Sequence, residues 1–206
     1  VENLVVGAPC GVMDQMTAAC GEAGKLLSLL CQPAELQGNI ALPEDLAVWG
    51  IDSGIRHAVS GSDYTSVRVG TFMGYRIIAD LAGLEVEASD EPGIVKVNDP
   101  KWGGYLANMT PREFNAHYVH ELPERMTGEV FLDRYGGTTD RVANIQPENS
   151  YPVLKPTWHP IYENTRVHQF AEIIRGEGGE EARPQLGMLM TASHQSYSDC
   201  GVGSEA

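Results

Sequence analysis

The stretch SDYTSVRVGTFMGYRIIADLAG, residues 62–83, constrains this chain most. Val69, Met73, Ile77 and Leu81 recur every four positions in a run too long for an ordinary strand. That spacing makes one apolar face of an α-helix. Ser62 or Asp63 can cap its start and Gly83 can end it. A helix of this length cannot bury its stripe alone, so other apolar layers must cover it.

Three further segments read as helices. Along MDQMTAACGE, Val12, Met16 and Cys20 form a stripe, with Met13 and Ala19 beside them. HPIYENTRVHQFAEIIRG begins near Pro160, turns Val167, Phe170, Ala171 and Ile174 inward, and stops at Gly176. RPQLGMLMTASHQSYSD starts at Pro184. TPREFNAHYVHELPERM is expected in two helical pieces broken near Pro123. KLLSLLC (25–31) and LAVWGID (46–52) are short apolar runs bounded by turn residues, hence strands, and their succession predicts antiparallel neighbours. Residues 85–105 carry acids, two prolines and a Gly-Gly pair, and read as a loop. The fold class is therefore α+β, strands early and helices later, with a boundary near residues 55–62.

The composition fits a folded domain: 42% hydrophobic and 20% charged residues over a length of 206. A net charge of -14 argues against a nucleic-acid surface and against attraction to anionic membranes. It leaves room for a nucleotide held by local donors or a metal ion. The cysteines Cys10, Cys20, Cys31 and Cys200 form no C-x-x-C pair and read as reduced, buried thiols of a cytoplasmic protein. No stretch approaches a membrane-spanning length.

Asp14 is the residue that asks for chemistry. It sits among apolar and small residues in GAPCGVMDQMTAACGE, in the first turn of a helix. Unpaired amides and the helix dipole favour an anion there. The same placement serves a helix N-terminus that merely needs a carboxylate, and a general base that must stay ionised.

At these residues a resemblance appears. GAPCGVMDQMTAACGEAGKLLSLLCQP resembles the second signature of the galactokinase branch of the GHMP small-molecule kinases. WGIDSGIRHAVSGSDYTSVRVGTFMG, ENTRVHQF and LMTASHQSYSDCGVGSE continue the likeness in order. CGVMDQMTAACGE, GIDSGIRH and SHQSYSDCGVGS look closest to the L-arabinokinase-like subgroup. The resemblance covers most of the chain apart from residues 85–150.

It implies a sugar 1-kinase that transfers the ATP γ-phosphoryl group to an anomeric hydroxyl, with ATP and Mg²⁺ as cofactors and L-arabinose or galactose as substrate. It assigns Asp14 as the catalytic base and Arg56 as its electrostatic support, although an ion pair of Arg56 with Asp52 fits equally well. Cys10 and Gly11 would bring backbone close to the sugar, and Tyr64 would hydrogen-bond it, with core packing as its plain alternative. Arg68 matches a family arginine and reads as structural, and His194 would pack near the site. The implied architecture is the GHMP two-domain fold, incomplete. Residues 1–58 would hold the end of the N-terminal domain and 59–206 part of the helix-rich C-terminal domain. The phosphate loop and the third glycine-rich motif would lie outside these residues, so the missing segments of the same enzyme are expected partners and the isolated stretch is not expected to turn over. No metal site is assigned.

Two rivals come from other classes. A non-catalytic sugar-binding or regulatory homologue would keep the pocket without turnover. His117 and His120 in HYVHE could mark a metallohydrolase, but their order fits no zinc-protease pattern and the plain reading is two surface histidines.

Overall fold

The computed structural model describes residues 11–32, 34–52, 54, 62–177 and 179–202. The architecture is α+β, with three separate two-stranded antiparallel sheets among the described residues. The chain divides into two compact units, one of residues 1–59 with 167–190, the other of 60–166 with 191–206.

In the first unit, Val12, Met16 and Cys20 along α1 (Met13–Cys20) are half-buried as the stripe predicts, while Met13 and Ala19, expected beside them, are exposed. β1 (Lys25–Leu30) pairs with β2 (Glu35–Ala41), Lys25 opposite Ala41 and Leu30 opposite Glu35, with a register shift after Ser28. The expected strand at 46–52 does not form. The partner of β1 is ELQGNIA, whose few apolar residues hide it from a periodicity search. A short turn delivers it beside β1, whereas 46–52 meets no partner strand among the described residues. Leu46 packs against the small core of Ile40, Ala171, Ile174 and Leu186. Val48, Trp49 and Ile51 stay 76%, 86% and 94% exposed. All described cysteines are free. Cys200 is buried and Cys20 half-buried, but Cys31 is exposed because it stands at the hairpin turn rather than inside a strand.

In the second unit, α2 (Ser62–Leu81) buries Val69, Met73 and Ile77, while Leu81 is 44% exposed on its last turn. Gly83 takes φ +68 and lets the Leu84 amide donate back to the Ala79 carbonyl, which closes the helix. The expected cap at Ser62 or Asp63 lies outside what the structure describes. Residues 85–105 are not all loop: β3 (Glu85–Ala88) and β4 (Val95–Asn98) form a hairpin, too short for a pattern search to pick out among the surrounding acids and glycines.

α3 (Pro111–His117) is capped by Thr110, whose hydroxyl accepts from the Glu113 amide. Its expected second helical piece is absent. The chain instead enters β5 (Arg125–Thr127), which pairs with β6 (Ser150–Pro152), and α4 (Gly128–Tyr135) follows directly with Thr127 as its cap. His120 therefore lies beyond the end of α3, and both histidines are exposed.

α5 (Leu154–Ile174) begins before Pro160, which sits inside it. A proline there removes the amide that would serve the carbonyl four residues back. That carbonyl belongs to Pro156, and the Thr71 hydroxyl from α2 lies 3.2 Å from it. The same hydroxyl lies 2.9 Å from the Val67 carbonyl of its own helix, so its single proton is shared between the two carbonyls. Val167 is exposed rather than inward, while Ala171 and Ile174 are buried as expected. α6 (Pro184–Asp199) runs where the sequence predicts it.

Within this unit α5 and α6 meet along a polar seam. His159 Nδ1 lies 2.8 Å from the Ser196 hydroxyl, the Ser193 hydroxyl donates to Glu163 at 2.6 Å, and Arg166 Nε donates to the same carboxylate at 2.7 Å. Burial pushes the His159 pKa below its ordinary value; the Glu163 charge opposes this and the Arg166 charge assists it. The folded state thus favours neutral imidazole, and the unfolded chain takes up the proton first as pH falls. The stability that neutral His159 contributes is complete above its unfolded pKa of 6.5 and is lost progressively below it. Urea midpoints at pH 7.5 and pH 5.5 should therefore differ more for the native chain than for His159→Gln.

Candidate active site

Gly11 and Asp14 stand together at the start of α1. Val12 is the N-cap, and its apolar side chain makes no capping hydrogen bond. Asp14 is the acidic residue of that turn and its side chain is exposed. Its carboxylate is therefore accessible to an approaching molecule. Gly11 is exposed, and no atom lies within 4 Å of where a Cβ would stand. Its backbone is open to an approaching molecule.

The hairpin holds this helix by its far end. The Gly21 amide donates to the Thr17 carbonyl at 2.9 Å. The Glu22 carboxylate then receives the Lys25 ammonium at 2.6 Å and the Asn39 side-chain amide. Those bonds, Lys25 first, keep Glu22 below the ordinary carboxylate range. The strand register of β1 and β2 thus fixes where α1 leaves the hairpin.

Tyr64 belongs to the other unit. It lies on the first turn of α2 and is half-buried. Cys10 and Arg56 lie outside the described residues. Asp52, the alternative partner of Arg56, is exposed and accepts from the Gly54 amide at 2.8 Å. Arg68, one turn beyond Tyr64, pairs with Asp140 through two bonds of 2.7 and 2.8 Å. Its structural reading has a partner that no local pattern could supply, 72 positions away. His194 is exposed on α6.

The sequence reading also missed Asp99. Its carboxylate receives the Tyr75 hydroxyl at 2.8 Å and the amides of Lys101, Trp102 and Gly104, each at 2.9 Å. Burial pushes its pKa up, but the donors from Trp102, Gly104, Tyr75 and Lys101 outweigh it and hold the carboxyl below its ordinary value. With three loop amides and the Tyr75 hydroxyl of α2 bound to it, Asp99 is an organiser of residues 99–104 and not a reactive group. The only sequence signal was the turn chemistry of NDPKWGG. Among the described residues no three metal-ligating side chains converge, and no helix is long and apolar enough to cross a membrane.

Comparison with known proteins finds relatives along the whole chain. The chain is 44% identical over 217 residues to an L-arabinokinase of Arabidopsis thaliana, a match covering 100% of this chain and 21% of that protein. It is 39% identical over 198 residues to a galactokinase of Chloroflexus aggregans, covering 96% and 38% respectively. A galactokinase of Actinobacillus succinogenes is 34% identical over 160 residues, covering 74% of this chain and 41% of its own. No family model and no solved structure matches. The chain spans about a fifth of the L-arabinokinase and under two fifths of the first galactokinase. Along the segment it covers, the chain is similar to an L-arabinokinase and to galactokinases.

Proposed function

We propose that the chain is a segment of an ATP-dependent sugar 1-kinase. The enzyme transfers the γ-phosphoryl group of ATP, with Mg²⁺, to the anomeric hydroxyl of L-arabinose or galactose in the cytoplasm. The observation that carries this reading is the 44% identity to an L-arabinokinase along the whole chain. The exposed Asp14 on the first turn of α1 agrees with it.

In this reading Asp14 accepts or orients the proton of the anomeric hydroxyl, and Arg56 supports its charge. The backbones of Cys10 and Gly11 line the sugar, and Tyr64 donates a hydrogen bond to it. Phosphoryl transfer asks little acid–base chemistry of the protein: one carboxylate suffices, while positioning and charge neutralisation do the rest. ATP, Mg²⁺ and the phosphate-binding loop belong to the wider enzyme. The GHMP two-domain fold divides the segment at 58/59. The exposed Val48, Trp49 and Ile51 agree with burial against further polypeptide of that enzyme.

The test is an ADP-release assay of the intact enzyme against a monosaccharide panel. Turnover on L-arabinose or galactose is the expected result. Sugar binding without ADP release would move the protein to a sugar-sensing role. In the same assay Tyr64→Phe should raise the sugar KM about 3- to 10-fold with little change in kcat, the cost of one neutral hydrogen bond. An unchanged KM would return Tyr64 to packing.

A further inference from the structure

We propose that Asp140 is a positioning residue: acting through Arg68, it fixes the first turns of α2 and so the direction of Tyr64. The inference rests on the sugar-contacting role of Tyr64 given above. Asp140 is 4% exposed and grips Arg68 with both oxygens, Oδ2 to Nε at 2.7 Å and Oδ1 to NH2 at 2.8 Å. A two-point contact of this kind fixes orientation as well as distance. Arg68 lies four residues after Tyr64, on the same helical face, so the rotation of α2 that satisfies the fork also sets where the Tyr64 side chain leaves the helix.

The anchor itself is fixed. Asp140 Oδ1 also receives the Val142 amide at 3.1 Å, and Oδ2 the Ala143 amide at 3.3 Å. The Asp140 amide donates to the Thr138 hydroxyl at 3.4 Å. Thr138 is buried and tied to the β3–β4 hairpin, its carbonyl receiving the Val95 amide and its amide donating to the Gly93 carbonyl. Gly137 lets the two backbones come that close, since a Cβ there would fall on the Gly93 carbonyl oxygen. The chain of contacts thus runs from the hairpin through residues 137–143 to Arg68, one turn from Tyr64. A buried ion pair is a weak source of stability, because desolvation offsets attraction. Its geometric precision is the property that a ligand-contacting helix end can use.

The test is a double-mutant cycle in the intact enzyme, with sugar KM and kcat as one readout and amide hydrogen exchange as the other. Asp140→Asn should raise the sugar KM about 3- to 10-fold with kcat within about twofold, comparable to the loss of the Tyr64 hydroxyl itself. Amides of residues 65–69 should exchange faster while those of 73–79 do not. In a Tyr64→Phe background, Asp140→Asn should add almost nothing to KM, because both changes remove one interaction. Arg68→Lys keeps the charge but loses the fork and should repeat the Asp140→Asn pattern, which covers the case of an Asp140 variant that does not fold. Additive effects on KM, or unchanged exchange at 65–69, would overturn the proposal. A Tyr64→Phe enzyme with native KM would instead overturn the sugar contact on which it rests, and the exchange data would still decide whether Asp140 holds the helix end.

Discussion

Asp14→Asn should leave the fold intact and lower kcat for sugar phosphorylation by about two to four orders of magnitude, the range general-base catalysis supplies. The two halves of that expectation have separate grounds. Asp14 is exposed and forms no part of the half-buried stripe of α1. Asparagine has nearly the same shape, so stability should stay within about 0.5 kcal/mol. It cannot take a proton, however, and it removes the charge that orients the hydroxyl. ADP release at saturating sugar and ATP measures the first effect, and thermal unfolding followed by circular dichroism measures the second. Turnover within fivefold of the native enzyme would end the assignment of Asp14 as base.

Gly74→Val should prevent the second unit from folding, at a cost above about 4 kcal/mol, the range reserved for severe overpacking. A Cβ at Gly74 would fall on the Thr157 hydroxyl, and one at Gly70 on the Pro152 carbonyl oxygen. Neither neighbour can yield. Thr157 is fully buried, and its hydroxyl donates to the Val153 carbonyl at 2.7 Å. Pro152 belongs to β6, which is paired with β5. The two glycines, one turn apart, are what let α2 lie directly against the start of α5. Gly187→Ala is the control: it sits in α6 with nothing within 4 Å of its Cβ position. There alanine should be neutral or stabilising by up to about 1 kcal/mol, since glycine is the poorer helix former. Soluble yield and melting temperature of the variants separate the two cases. A stable, cooperatively melting Gly74→Val would show that the helix contact is looser than the structure has it.

The elements legible in the sequence were those whose signal lies within one segment. The stripe of α1, the apolar run of β1, the four-residue spacing of α2 and the body of α6 are properties of consecutive residues, and each forms its element, although β1 is only half-buried. The place of Asp14 in a helix's first turn was legible for the same reason. Cys10 and Arg56, named from the resemblance, lie outside the described residues.

Partnership between segments was not legible. The apolar run at 46–52 has the composition of a strand, but a strand exists only when another backbone offers its hydrogen bonds. The hairpin turn gave that place to the less apolar β2. Pro160 looked like the start of a helix because a proline removes a donor, and the Thr71 hydroxyl beside the orphaned Pro156 carbonyl comes from another helix. Gly70 and Gly74 carry no local mark of their role, which lies in the backbone and the hydroxyl packed against them. Asp140 carries no local mark, and only the fold brings it 72 positions back to Arg68. Periodicity, capping and motif chemistry are local and belong to the sequence alone. Strand partner, helix approach and buried charge pairing depend on which distant groups arrive, and only the tertiary structure decides that.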